Sequence, residues 1–128
     1  YLGDLKCEAK HLQSGNLITT DAPIDHCGKG ENFSPTDLLA TSLGSCLLTI
    51  MSIKARSNGW ELKNIYLDIE KIMTKNKERK IAQLKIDIYI PDDLSKEKID
   101  FIKNASGDCP VTRNLSESLD IKINWHNQ

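Results

Sequence analysis

The sequence predicts an α+β fold, and three patterns support that prediction. One long apolar stretch carries helix signals at both ends, short strand-like segments precede it, and two later segments alternate apolar and polar residues. Strands and helices are therefore grouped along the chain, as in α+β proteins. A length of 128 residues allows a core without staples, and we expect residues 1–128 to form a single domain.

The first 35 residues indicate short strands and loops. The strand candidates run from Leu2 to Ala9 and from Asn16 to Thr20. Proline and glycine then mark a long irregular connection over residues 21–30.

The strongest helix signal begins at Ser34. Ser34 is suited to cap the helix, Pro35 to occupy its first position, and Asp37 to complete a capping box. Gly59 is placed to end the helix in a left-handed conformation. We interpret Asp37 chiefly as this capping acid.

The predicted helix has no charged residue over positions 38–53. This run of sixteen residues is rich in Ser, Thr and Gly, and we judge it too short to span a membrane. A helix without a polar face has to be covered on nearly all sides, and one small sheet covers one side only. We therefore expect a homodimer with this helix at its centre, where Gly44 would permit close approach of the partner helix.

After Trp60 the apolar period changes from 3.6 to 2, which predicts two strands with one wet face joined by a basic turn. Ser95 is suited to cap an amphipathic helix, Gly107 interrupts it, and Cys109-Pro110 starts a second short helix. A closing strand follows around Leu119 to Trp125. The predicted order is ββ-α-ββ-α-α-β.

Charge and cysteine usage exclude several function classes. Seventeen basic residues balance eighteen acidic ones, so neither nucleic acid nor an anionic membrane is an expected partner. The sequence shows no signal-peptide pattern, and we expect a cytoplasmic protein. The four cysteines and three histidines lack zinc-ligand spacing, so we expect no metal site.

Cys46 and Cys109 stand out by context. Cys46 lies in the middle of the uncharged helix, and Cys109 precedes Pro110 at the expected N-cap of the next helix, where backbone N–H groups favour a thiolate. A thiolate near a second thiol suits peroxide reduction through a sulfenic acid and a disulfide. The pattern alone leaves open whether the two residues meet.

A longer motif carries a family resemblance. It comprises Gly28, Gly30, Ser34-Pro35-Thr36-Asp37-Leu38-Leu39-Ala40, Leu43-Gly44-Ser45-Cys46, Arg56, Gly59-Trp60 and Cys109-Pro110-Val111. In wording and spacing this resembles the osmotically inducible protein C / organic hydroperoxide resistance (OsmC/Ohr) family, from about Asp21 to the C-terminus.

The resemblance implies an intertwined homodimer whose central buried helices are wrapped by antiparallel sheets. It also implies an antioxidant enzyme that acts under oxidative stress. This enzyme would be a peroxidase that reduces organic hydroperoxides at the dimer interface. Cys46 would be the peroxidatic cysteine and Cys109 the resolving one. No bound cofactor is implied, and an external dithiol, often a lipoyl group, would reset the disulfide.

Some family features are absent. The hydroperoxide enzymes carry a Glu directly after the helix-opening proline, where this chain has Thr36, and an Arg near the N-terminus, where it has none. Asp37, Thr36, His26 and Lys29 are candidate auxiliary groups. These departures leave open a weakly catalytic redox-sensing or small-molecule-binding dimer. A thioester or acyl hydrolase using Cys46 is a third reading, for which no His–acid partner is assigned.

Overall fold

The computed structural model describes residues 1–128 and contains the predicted order of elements. Residues 1–39 and residues 40–128 form two compact units, and the single-domain expectation stays a prediction. The elements are β1 (Lys6–Lys10), β2 (Leu17–Asp21), a 3-10 turn (Ile24–His26), α1 (Pro35–Ser57), β3 (Tyr66–Met73), β4 (Ile81–Ile90), α2 (Lys96–Ser106), α3 (Pro110–Leu115) and β5 (Asp120–Asn127).

In the first unit, β1 and β2 pair as an antiparallel ribbon. The predicted first strand started too early, because Gly3, Asp4 and Leu5 all have positive φ angles, of 85°, 55° and 61°. That backbone forms a turn and cannot continue a strand. At the same end of the ribbon, buried Asp21 accepts a hydrogen bond from the Glu31 N–H at 3.0 Å, which fixes the following loop.

The capping box at the start of α1 is confirmed. The Ser34 N–H donates to Asp37 Oδ2 at 2.9 Å, and the Asp37 N–H donates to Ser34 Oγ at 3.1 Å. Pro35 occupies the first helical position, where its missing N–H leaves no donor unsatisfied. Gly59, with φ of 80°, follows the end of the helix as predicted.

Within the second unit, α1 buries one face and exposes the other. The buried residues recur at helical spacing: Ala40, Leu43, Gly44, Leu47, Met51 and Ala55. Gly44 lies on this buried face, which corrects the expectation that it faces a partner helix. A Cβ atom at Gly44 would lie 2.5 Å from Ile69 Cδ1 and 2.9 Å from Leu67 Cδ1, so the close approach that glycine permits is to β3 of the same chain.

The sheet of the second unit has the order β3-β4-β5. β3 and β4 are antiparallel, as the alternating pattern and the short turn predict. β4 and β5 are parallel, so the expectation of purely antiparallel sheets is wrong for this pair. The connection between them contains α2 and α3. A crossover of that length returns the chain to the end of the sheet at which β4 begins, so β5 runs in the same direction as β4.

Helix α1 is longer than its uncharged run of sixteen residues, which alone is too short to span a membrane. α1 has 23 residues and contains an 18-residue window of mean hydropathy 1.5, so by length and composition it is able to cross a bilayer. Core helices of soluble proteins pass the same test, and 33% of that window is already buried within the chain. The expectation that the protein has no membrane partner stays a prediction.

Candidate functional site

The site is built from two sulfur atoms that the fold brings into contact. Cys46 Sγ and Cys109 Sγ lie 2.7 Å apart although the residues are 63 positions apart in sequence. Both are free thiols, and the separation exceeds the roughly 2.05 Å of a disulfide bond. The expectation that these two cysteines meet is therefore confirmed, and one thiol donates a hydrogen bond to the other.

The helices that hold the pair give the two sulfurs different surroundings. Cys46 lies beside the buried face of α1 and is half-buried, whereas Cys109 is 0% exposed. α2 ends at Ser106 with Gly107 as its C-cap, and the Cys109 N–H then donates to the Ser106 carbonyl at 3.3 Å. This turn directs Cys109 inward at the point where α3 begins.

Cys109 caps α3 with its own sulfur, as its position before Pro110 predicts. The Thr112 N–H points to Cys109 Sγ at 3.4 Å, and the Val111 N–H stabilises a thiolate on either cysteine. The Thr112 hydroxyl oxygen is buried and has no hydrogen-bond partner of ordinary geometry. It lies near enough to favour charge on Cys109.

These surroundings shift the two thiols in opposite directions. Burial raises the pKa of the Cys46 thiol, and the hydrogen bond with Cys109 acts in the same sense. Burial also acts to raise the pKa of Cys109, but hydrogen bonds from Cys46 and Thr112 outweigh it, so the pKa of Cys109 is lowered. Of the two sulfurs, the buried Cys109 therefore forms a thiolate more readily, while Cys46 has the greater access to solvent.

An ion-pair cluster lies next to the cysteines and was not found from the sequence. Asp108 accepts from Lys54 Nζ at 3.0 Å and from Arg113 Nη2 at 2.8 Å. The hydrogen bond and charge of Lys54, with a smaller effect of Arg113, hold the pKa of Asp108 below its usual value. Because Lys54 lies two turns beyond Cys46 on α1, the cluster ties that helix to the residue before Cys109. Only the folded chain shows this, since Lys54 has no local sequence link to Asp108.

The other predicted site residues all lie in residues 1–39, outside the unit that holds the cysteine pair. Asp37 completes the helix cap, and Thr36 Oγ1 lies 3.1 Å from Ser34 Oγ. Lys29 forms an ion pair with Asp4 at 3.0 Å, and His26 is an exposed residue at the end of the 3-10 turn. An auxiliary catalytic role for any of the four stays a prediction.

The remaining cysteines and acids form no further cluster. Cys7 and Cys27 are exposed free thiols. No group of three or more His, Cys, Asp or Glu side chains comes together in an arrangement that would hold a metal ion.

A long helix and a crossover connection that hold two thiols in contact define an α+β protein with a cysteine-pair site. The family model described as OsmC-like protein matches residues 28–124. The chain therefore belongs to the OsmC-like protein family, whose solved members include proteins named for organic hydroperoxide resistance.

Solved structures agree with this assignment. A protein of Psychrobacter arcticus 273-4, provisionally described as an osmotic stress induced and detoxification response protein, is 41% identical, with 98% of this chain and 91% of that chain covered and a TM-score of 0.89. An OsmC-like protein of Mycoplasma pneumoniae is 18% identical, with 95% and 94% covered and a TM-score of 0.74.

A Vibrio cholerae protein provisionally described as an organic hydroperoxide resistance protein, with captopril bound in one of its active sites, shares the fold. It is 16% identical, with 98% of this chain and 87% of that chain covered and a TM-score of 0.75. Among curated proteins, no sequence matches this chain significantly.

Proposed function

We propose that the protein is a cysteine-based peroxidase that reduces organic hydroperoxides, with Cys46 as the peroxidatic and Cys109 as the resolving cysteine. The observation that carries this proposal is the 2.7 Å contact between the two sulfurs. A sulfenic acid formed on either sulfur would have its resolving thiol already in place. The family's association with hydroperoxide resistance supports an organic hydroperoxide as the substrate.

The pair itself supplies a base for the first step. The pKa of Cys109 is lowered, so it forms a thiolate more readily than Cys46, and its sulfur is within hydrogen-bond distance of the Cys46 thiol. The Cys109 thiolate takes the Cys46 proton as the Cys46 sulfur attacks the terminal peroxide oxygen. The O–O bond breaks, the alkoxide leaves and is protonated to the alcohol, and Cys46 becomes a sulfenic acid. This proton transfer offers a function for the pair in a chain that lacks the family's usual Arg and Glu.

The second step closes the disulfide. The Cys109 sulfur attacks the Cys46 sulfur and expels its hydroxyl group, which takes the Cys109 proton and leaves as water. In total, two thiols and one hydroperoxide give one disulfide, one alcohol and one water. An external dithiol of the lipoyl type, present in the cytoplasm, then reduces the disulfide and is itself oxidised.

A homodimer completes the proposal. The exposed face of α1 carries no charge between Asp37 and Lys54, and Ile53 on that face is 56% exposed. A groove of about 310 Å³ runs along it, lined by Leu48, Thr49, Ser52, Ile53 and Arg56. A second copy of the chain packed on this face would cover the groove and bury its apolar lining.

One observation favours an alternative in the same fold. Because burial raises the pKa of Cys46, a slowly reacting pair would serve as a redox sensor or small-molecule-binding dimer. Consumption of cumene hydroperoxide in the presence of excess dihydrolipoamide distinguishes the two. A peroxidase turns over many equivalents per chain, with no turnover in Cys46→Ser, whereas a sensor consumes about one equivalent and stops.

A further inference from the structure

The disulfide formed by the Cys46–Cys109 pair has two chemically different ends. Cys109 is fully buried, while Cys46 retains partial exposure beside the solvent-facing side of α1. A thiol that reduces a disulfide attacks one sulfur and expels the other, so access selects the sulfur that is attacked. Access in this chain favours attack at Cys46.

Stabilisation of the expelled sulfur also differs between the two ends. The Thr112 N–H points to Cys109 Sγ at 3.4 Å, and no corresponding contact from Thr112 reaches Cys46. The hydroxyl of the same residue is buried and lies near enough to favour charge on Cys109, although it has no hydrogen-bond partner of ordinary geometry. A thiolate on Cys109 would be a stronger acceptor for this hydroxyl than the protonated thiol is.

We propose that an external dithiol attacks the disulfide at Cys46 Sγ and that Cys109 leaves as a thiolate stabilised by the Thr112 hydroxyl and backbone N–H. This inference rests on the proposed function, because it concerns the reset of the same pair. The first thiolate of the dithiol forms a bond to Cys46 Sγ as the Cys46–Cys109 bond breaks. The second thiolate of the dithiol then attacks the sulfur of its own first thiol and releases Cys46. Two electrons pass to the protein, and the dithiol leaves as a cyclic disulfide.

The point of attack is tested on the oxidised wild-type chain. Diamide forms the disulfide without peroxide, and glutathione, which has no second thiol, is added and quenched with acid at early times. Peptide mass spectrometry is expected to find the glutathione adduct on Cys46. An adduct found mainly or equally on Cys109 would overturn the proposal.

The role of Thr112 is tested with Thr112→Val, which keeps the shape and removes the hydroxyl. We expect reduction of the diamide-formed disulfide by dihydrolipoamide to slow by about threefold or more, because a less acidic thiol leaves more slowly. Ultraviolet titration should show the Cys109 thiolate forming at higher pH than in the wild type, and Thr112→Ser should restore both values. Unchanged titration and reduction rate in Thr112→Val would contradict the role of the hydroxyl.

A matched control separates this effect from damage to α3. Asn114 donates from the same short helix to the Pro110 carbonyl at 2.8 Å and touches neither sulfur, so Asn114→Ala should reduce at the wild-type rate. The test is also independent of peroxidase activity. A chain that consumes no hydroperoxide but carries the adduct on Cys46 contradicts the proposed function alone, and an active peroxidase with the adduct on Cys109 contradicts this inference alone.

Discussion

At the scale of single residues, the cysteine pair divides between two sulfurs the properties that one reactive cysteine usually combines. Cys109 has the lowered pKa and the backbone donors, while Cys46 has the access. Contact between them lets a single proton pass from one to the other, so the pair is best regarded as one titrating unit. The groups that lower the pKa of Cys109 are Cys46, Thr112 and Val111, none of them an arginine.

Substitution of each cysteine should separate the two roles. Cys46→Ser should abolish turnover of organic hydroperoxide, because the accessible sulfur is gone. Cys109→Ser should consume about one equivalent and stop, since the sulfenic acid on Cys46 has no resolving thiol. Peroxide consumption and the mass of the intact chain measure both, with Cys7→Ser and Cys27→Ser as active controls. Sustained turnover by Cys46→Ser would contradict the assignment.

The ion pairs of Asp108 predict how the stability of the folded chain changes in acid. Its pKa is lowered in the folded chain by Lys54 first and Arg113 second, so the unfolded chain binds the proton more readily. The stabilisation is present above the ordinary value of 3.8 and is lost as pH falls through the lower folded value. Urea unfolding should therefore show Asp108→Asn to be less stable than the wild type near neutral pH. The difference should shrink in acid, and a difference that grows instead would show that this charge is not responsible.

At the scale of elements, the packing of α1 on β3 depends on a glycine. Gly44→Ala would gain helix propensity of up to about 1 kcal/mol, but the new methyl group meets Ile69 Cδ1 at 2.5 Å. Overpacking of this kind costs about 1–3 kcal/mol, so we expect net destabilisation of about 1 kcal/mol. Combining it with Ile69→Val should recover part of the loss in a double-mutant cycle measured by urea unfolding. The matched control is Ser45→Ala on the exposed face, and a stabilised Gly44→Ala chain would contradict this packing.

The elements also show what the sequence can and cannot predict. The start of α1 was predictable because Ser34, Pro35 and Asp37 interact within four residues. The direction of β5 was not, because apolar alternation is the same in parallel and antiparallel strands. The sequence could not predict which neighbour Gly44 packs against, because that depends on how the sheet lies against α1. The link from Lys54 to Asp108 joins distant positions, and the meeting of the two cysteines was predictable only from the family motif.

At the scale of the whole molecule, the uncharged exposed face of α1 predicts an obligate homodimer. Ile53→Glu would place a charge on that face and should shift sedimentation from dimer to monomer and lower the melting temperature. The wild-type melting temperature should rise with protein concentration, because association stabilises the folded state. Lys122→Glu, an exposed change on the sheet, is the control. A well-folded wild-type monomer at micromolar concentration would contradict the dimer.

The most direct test of the central claim is the location of the disulfide after one turnover. The reduced chain is treated with one equivalent of organic hydroperoxide, digested without reductant, and its cross-linked peptides are identified by mass spectrometry. The account predicts one dominant cross-link between Cys46 and Cys109, whose sulfurs already lie 2.7 Å apart. A cross-link that joins any other two cysteines, or a Cys46 that stays reduced while peroxide is consumed, would contradict it.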